Sequence, residues 1–181
     1  DLKVHMDGAR IFNAQVATGI PVKTYANYAD TITFCLSKGL GCPVGSVLCG
    51  DEAFINKALT IRKMLGGGMR QTGVLAAAGI YALENHVDRL ADDHAHAKAL
   101  ADALAKGGWA EVDAEGVQTN IIFFRVPSLS SSEVVSQLAK QGILANSEGE
   151  MIRLVTNLDL HDEDITELCT RLEHFPLEVD A

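Results

Sequence analysis

Two strand-like apolar runs that each lead to a reactive side chain constrain the fold of this chain more than any other feature. Residues 2–6 end directly at Asp7, and residues 31–36 lead through one serine to Lys38. The stretch between the runs is long enough for a crossover, so we predict that they form neighbouring strands of a parallel sheet. Open α/β sheets bind ligands at the carboxyl ends of such strands. Asp7, Lys38 and the nearby Arg10 are therefore expected to lie together at that edge.

These three side chains supply what pyridoxal phosphate chemistry needs. A lysine forms the imine, an aspartate keeps the pyridine nitrogen protonated, and an arginine holds an anion. Simpler interpretations stay open: Lys38 is also explained as a surface lysine in a glycine-rich turn, and Asp7 as a cap of the following helix. Ser37, beside the lysine, either contacts a phosphate or caps a turn.

Two further cationic positions stand out. Arg70 follows the triple glycine at residues 66–68, before a predicted helix start where backbone N–H groups can bind an anion. A triple glycine is also a common hinge. Arg153 is the basic residue of an apolar strand predicted over residues 151–155, where a charge needs a partner such as a ligand carboxylate.

Composition and charge argue against several classes of protein. The chain has 181 residues and a net charge of −9 with no basic cluster, which disfavours nucleic acid and anionic membranes as partners. No apolar run approaches the roughly 18 residues of a transmembrane helix, and no signal-peptide pattern opens the sequence. We therefore expect a cytoplasmic protein. Four cysteines without a C-x-x-C pair predict reduced, structural thiols and no metal site.

The order of predicted elements indicates two domains. Strand and helix patterns alternate over residues 1–90, whereas residues 91–181 are typical of a small α+β domain. An alanine- and leucine-rich pattern over about residues 69–106 predicts a long helix that bridges the two, with a bend at Asn85-His86. Residues 1–6 enter a core strand at once, and a parallel strand needs neighbours on both sides. We therefore expect the chain to be the later part of a larger α/β protein.

Periodicity and caps predict the individual elements. Asp51 is expected to cap one helix, and Ser131 or Ser132 another. Besides the elements already described, the pattern predicts helices over residues 11–18, 52–64 and 162–174, a helix that runs from the Ser131 or Ser132 cap to about Gln141, and strands over residues 46–49 and 117–126.

Four segments closely resemble a known family. They are residues 5–10 (HMDGAR), 36–46 (LSKGLGCPVGS), 62–71 (RKMLGGGMRQ) and 152–156 (IRLVT). Together they resemble the low-specificity L-threonine aldolases, which are aspartate-aminotransferase-like (fold type I) pyridoxal phosphate enzymes. The resemblance covers essentially the whole chain and corresponds to about the C-terminal half of a family member. It implies an α/β fold: part of the large cofactor-binding domain, followed by a small α+β C-terminal domain.

The resemblance also implies roles for individual residues. Lys38 would form the covalent bond to pyridoxal 5′-phosphate, Asp7 would pair with the pyridine nitrogen, and Ser37 would contact the cofactor. Arg10 and Arg153 would grip the substrate carboxylate, with Arg10 also near the cofactor.

The family is typically a homotetramer with sites at subunit interfaces. The resemblance therefore implies that Arg70, together with Lys63, reaches the phosphate region of a neighbouring subunit's site.

The implied activity is cleavage of L-threonine or L-allo-threonine to glycine and an aldehyde such as acetaldehyde. In the family, the ring-stacking histidine, the glycine-rich phosphate cup and a second histidine proposed as base lie upstream of the matched stretch. We therefore expect this chain to be inactive without an N-terminal half. The alternatives are another fold type I lyase, of the β-eliminating kind, and a catalytically silent structural fragment.

Overall fold

A computed structural model describes residues 2–178, so the predicted domain ends at Asp1 and at residues 179–181 lie outside the described residues. The chain divides into two units, with the boundary between Leu90 and Ala91.

A three-stranded sheet organises the first unit. Its strands, in spatial order, are β1 (His5–Asp7), β2 (Thr31–Cys35) and β3 (Ser46–Cys49). β1 pairs with β2 in parallel, as predicted, and β3 returns antiparallel to β2. The carboxyl ends of β1 and β2 therefore lie side by side, and the segments that follow both strands leave the same edge of the sheet.

The helices of the first unit are α1 (Ile11–Thr18), α2 (Val22–Ala26), α3 (Glu52–Met64) and α4 (Gly73–Asn85). α1 packs on the sheet through an edge-to-face contact between Phe12 and Phe34, with ring centroids 5.3 Å apart. The bounds predicted for α1 and α3 are confirmed. Asp51 caps α3 as predicted, since its carboxylate accepts a hydrogen bond from the Phe54 N–H at 2.7 Å. α2 was not predicted.

Two helices occupy the stretch for which one long helix was predicted over about residues 69–106. α4 starts only at Gly73, and α5 (Leu90–Gly107) follows it after a break. The start is delayed because Gly68 and Gln71 adopt positive φ angles of 139° and 52°, which a helix does not allow. The break follows His86, whose ring forms a hydrogen bond with the Leu40 carbonyl in the loop between β2 and β3.

The second unit is an antiparallel sheet covered by helices. The elements after α5 are β4 (Glu111–Val112), β5 (Ile121–Arg125), α6 (Ser131–Lys140), β6 (Asn146–Glu148), β7 (Met151–Val155) and α7 (Asp162–Glu173). The strand order is β4-β5-β7-β6. β7 has its predicted bounds, whereas the strand predicted over residues 117–126 is shorter, and β4 and β6 were not predicted.

Alternation along the central strands places the core of this unit on one face of the sheet. Ile122 and Phe124 of β5 and Ile152 of β7 are fully buried, and Leu138 of α6 and Leu172 of α7 pack into the same cluster. Each such side chain stabilises the fold by about 1.5–3 kcal/mol relative to an exposed position. The other face of β5 and β7 is half-buried or exposed and carries Ile121, Phe123, Arg125, Met151, Arg153 and Val155.

The cap of α6 differs from the predicted one. Ser130, rather than Ser131 or Ser132, accepts a hydrogen bond from the Glu133 N–H, and the Glu133 carboxylate accepts one from the Ser130 N–H at 2.8 Å. This reciprocal capping box places the cap one residue before the earlier of the two predicted positions.

The four cysteines are free thiols, and burial raises the pKa of Cys42. Within residues 2–178, no cluster of three histidine, cysteine or acidic side chains is placed to hold a metal ion. None of the described helices has the length and apolar character needed to span a membrane.

Candidate functional site

Asp7 lies at the end of β1, directly opposite Thr33 of β2. The chain turns sharply after it: the Gly8 N–H donates to the Thr33 carbonyl at 2.7 Å, and a Cβ at Gly8 would lie 3.0 Å from that oxygen. One oxygen of Asp7, Oδ1, accepts the Ala9 N–H at 3.1 Å. The N-cap of α1 is Arg10, so Asp7 shapes the turn and does not cap the helix. Its side chain is exposed.

Lys38 lies in the turn that connects β2 to β3. The turn is closed by the Leu36 N–H, which donates to the Gly45 carbonyl at 2.9 Å. Within it, the Gly41 N–H donates to the Lys38 carbonyl at 2.8 Å, and Gly41 has a φ of 71° that favours glycine. The Lys38 side chain is exposed, at the carboxyl end of the strand beside the one that carries Asp7.

The residues after Lys38 anchor this turn to the body of the first unit. Leu40 is 3% exposed and packs in a small cluster with Leu90. His86 Nδ1 donates to the Leu40 carbonyl at 2.7 Å, which fixes the tautomer because a carbonyl only accepts. A Cβ at Gly39 would lie 2.8 Å from a Leu90 methyl group. The backbone of the turn at Gly39 and Leu40 is therefore held in place, whereas the Lys38 side chain is exposed.

Sequence reasoning missed the role of His86. In the sequence it was visible only as a polar residue directly after an apolar helical run, where a bend was expected. The contact with Leu40 joins residues 46 positions apart, so nothing in the local pattern could have indicated it.

A second feature that sequence reasoning missed is a hydrogen-bonded group on the face of the sheet that carries Asp7. His5 Nδ1 lies 2.8 Å from the Thr31 hydroxyl, and its Nε2 lies 3.3 Å from the Thr33 hydroxyl. His5 and Asp7 are two residues apart on β1 and so point to the same side. The opposite side of the sheet is the one that packs on α1 through Phe34.

Arg10 and Ser37 lie beside these strand ends. Arg10 is half-buried and is the N-cap residue of α1. Ser37 is exposed, and its N–H donates to the Gly45 carbonyl at 3.3 Å. Both therefore lie in segments that leave the sheet edge at which Asp7 and Lys38 are found.

Lys63 and Arg70 flank the triple glycine and are exposed. Lys63 lies in the last turn of α3, and its side chain folds over the loop, so that a Cβ at Gly68 would lie 3.3 Å from its Nζ. Arg70 was expected at the start of the helix. It instead precedes α4 by three residues. The Thr72 side chain makes no cap hydrogen bond to that helix. The N–H groups at the start of α4 are thus left without a side-chain acceptor from their cap residue.

Arg153 belongs to the second unit, on the face of β7 opposite the core. It is directly opposite Phe123 of β5 and Asn146 of β6. Its Nη1 forms an ion pair with Glu148, so the charge within the strand has an intramolecular partner. Its Nε is buried and makes no hydrogen bond within the described residues. An unpaired buried donor costs about 1–3 kcal/mol, which a ligand acceptor would recover.

Comparison with known proteins places the chain in a family. Residues 1–127 match the beta-eliminating lyase family. The chain belongs to that family. It is 45% identical over 175 residues to the low specificity L-threonine aldolase of Escherichia coli K12, covering 97% of this chain and 51% of that protein. It is 43% identical over 168 residues to the low-specificity L-threonine aldolase 1 of Arabidopsis thaliana, covering 91% of this chain and 47% of that protein.

The fold agrees with this assignment. The structure of the Leishmania major threonine aldolase superposes with a TM-score of 0.72 at 17% sequence identity, over 95% of this chain and 51% of that one. The predicted fold class, the later part of a fold type I large domain with a small α+β domain, is confirmed. The chain spans about half the length of the curated relatives it matches.

Proposed function

We propose that this chain is the C-terminal half of a pyridoxal phosphate-dependent lyase that cleaves L-threonine and L-allo-threonine to glycine and acetaldehyde. The observation that carries the proposal is the placement of Asp7 and Lys38 at the carboxyl ends of two adjacent parallel strands, both exposed. The similarity to named threonine aldolases of two organisms supports the substrate class.

The side chains at this edge fit the proposed cofactor. Pyridoxal phosphate needs a primary amine for covalent attachment and a carboxylate for its ring nitrogen. Lys38 supplies the amine on an anchored turn, and Asp7 supplies a carboxylate of which one oxygen is taken by the Ala9 N–H. Ser37 and the half-buried Arg10 supply further polar contacts in the segments beside them.

Each residue then has a defined task. When bound, the pyridine ring accepts the electron pair of the bond that breaks. Asp7 holds a proton at the ring nitrogen, because a carboxylate stabilises the adjacent positive charge. Arg10 and Arg153 bind the substrate α-carboxylate, which orients the Cα–Cβ bond for cleavage. Lys38 attaches the cofactor between turnovers.

We propose that the two units belong to different domains of the enzyme. Residues 1–90 belong to the large cofactor-binding domain, and residues 91–181 form the small C-terminal domain. An N-terminal half supplies the rest of the pocket, as the length of the relatives suggests. The four free thiols suit a reducing, cytoplasmic compartment.

We further propose that the protein is a homotetramer with sites at subunit interfaces. The exposed Arg70 lies on the glycine loop before an uncapped helix start, and the exposed Lys63 lies beside that loop in the last turn of α3. Both suit contact with the cofactor phosphate of a neighbouring subunit. The first unit also exposes large apolar side chains around this loop, such as Met64, Leu65 and Met69, which are 79%, 83% and 66% exposed. Such a surface is typical of protein that is covered by another chain.

A product assay on the full-length protein tests the function. With L-threonine as substrate we expect equal amounts of glycine and acetaldehyde. Formation of 2-oxobutyrate and ammonia would instead identify a β-eliminating lyase. No product from the full-length protein loaded with pyridoxal phosphate would favour a structural role. The 181-residue chain alone is expected to give no product.

A further inference from the structure

We propose that Glu148 is a positioning residue that holds Arg153 so that its Nε edge receives the ligand carboxylate. This inference rests on the proposed function, in which Arg153 binds the α-carboxylate of an amino acid. Glu148 lies outside the four segments that carry the resemblance to threonine aldolases.

The hairpin geometry brings the two side chains together. Glu148 is the last residue of β6 and lies directly opposite Met151 of β7. Arg153 of β7 lies directly opposite Asn146 of β6. Glu148 and Arg153 are therefore diagonal neighbours on one face of an antiparallel pair, within reach of long side chains. The Glu148 carboxylate contacts Arg153 Nη1, and the side chains are 45% and 29% exposed.

This contact decides which part of the guanidinium remains for a ligand. A guanidinium binds a carboxylate through two parallel N–H groups, either Nη1 with Nη2 or Nε with Nη2. Glu148 contacts Nη1, so a carboxylate bound in the first arrangement would lie beside its negative charge and is disfavoured. Nε is buried and makes no hydrogen bond within the described residues. The unsatisfied donor therefore lies on the Nε–Nη2 edge, and we assign the ligand carboxylate to that edge.

Two effects of Glu148 act in opposite directions. Its negative charge repels a second carboxylate at the same guanidinium, whereas its ion pair with Nη1 restricts the orientation of the guanidinium plane. If positioning dominates, a neutral acceptor of the same length preserves ligand affinity and removal of the acceptor lowers it. Glutamine is such an acceptor, because its amide oxygen can accept a guanidinium N–H from the same position without carrying a charge.

The experiment measures glycine binding to the full-length protein loaded with pyridoxal phosphate, by isothermal titration calorimetry. We expect Glu148→Ala to weaken glycine binding by about tenfold, because the ion pair that orients the Arg153 guanidinium is lost. Glu148→Asp, one methylene shorter, should weaken it similarly, and Glu148→Gln should bind within about twofold of the parent. Glycinamide, which lacks the carboxylate, should bind all four proteins alike.

Glu150→Ala is the matched control, since Glu150 is exposed in the same hairpin. It should leave glycine binding unchanged. The proposal is overturned if Glu148→Ala binds glycine as the parent does or more tightly, or if Glu148→Gln is as weak as Glu148→Ala. Failure of the proposed function has a separate signature: Arg153→Lys would leave both glycine binding and the KM for L-threonine unchanged.

Discussion

Asp7 and Thr33 are direct register partners in the parallel pair of β1 and β2, and the chain leaves both strands at the same edge. The Gly8 N–H closes the turn after Asp7 by donating to the Thr33 carbonyl at 2.7 Å. The position of the carboxylate is thus tied by backbone hydrogen bonds to the strand that leads to Lys38. The carboxylate of the proposed cofactor site therefore lies at a strand end, where a side chain is placed more precisely than on a loop.

Replacement of Lys38 by alanine should abolish covalent attachment of pyridoxal phosphate in the full-length protein, because the amine on this turn is lost. Borohydride reduction followed by peptide mapping of the parent should place the pyridoxyl group on Lys38. Lys23→Ala, which removes an exposed lysine of α2, is the control and should retain the label. A pyridoxyl group on any other lysine would refute the assignment.

Replacement of Asp7 by asparagine isolates the effect of charge. The amide oxygen can still accept the Ala9 N–H, so the turn and the fold should be retained. Because a neutral partner no longer stabilises a proton on the ring nitrogen, we expect kcat to fall by roughly 100-fold or more while some cofactor stays bound. Turnover close to that of the parent would show that Asp7 only shapes the turn. The measurement is kcat together with cofactor content.

Arg70 tests the proposed assembly. Arg70→Ala should weaken cofactor retention in the full-length protein, because an exposed cation of the glycine loop is lost. If Arg70 serves a neighbouring subunit, mixing this variant with Lys38→Ala should restore partial activity. One site of a mixed pair then keeps both an intact lysine and an intact arginine.

Size-exclusion chromatography of differently tagged subunits must show that the subunits exchange. Exchange without recovered activity would place Arg70 in the site of its own subunit, or in none.

Ser130→Ala should destabilise the second unit through the loss of the cap of α6, by about 1 kcal/mol. The urea midpoint, followed by circular dichroism at neutral pH, measures this effect. Ser128→Ala, at an exposed position two residues earlier, is the control and should leave the midpoint unchanged.

The cost of Ser130→Ala should also depend on pH. Hydrogen bonds from the Ser130 hydroxyl and N–H hold the pKa of Glu133 below its ordinary value. The pair therefore stabilises the fold above the ordinary pKa of a glutamate and loses this effect as the pH falls through the lowered value. The difference in urea midpoint between the parent and Ser130→Ala should therefore become smaller at acidic pH. A difference that stays constant over that range would contradict a role for the Glu133 carboxylate.

Local patterns were sufficient for the elements that carry their own signals. The spacing of apolar residues predicted α1 and β7, and Asp51 predicted the start of α3. Two short strands were not predicted. β4 and β6 have two and three residues, which is too few for an alternating pattern to be recognised. The single long helix failed because the positive φ angles before Gly73 and the contact of His86 with Leu40 are invisible in helical periodicity.

The sequence by itself determined that Asp7 and Lys38 follow adjacent parallel strands, because apolar runs, turn residues and the crossover length are local properties of the chain. Only the tertiary structure decided which groups surround the candidate residues. His5 lies between two threonine hydroxyls of the next strand, and Arg153 is paired with Glu148 across a hairpin whose first strand was not predicted. Both depend on strand register, which is set by packing and backbone pairing over the whole sheet.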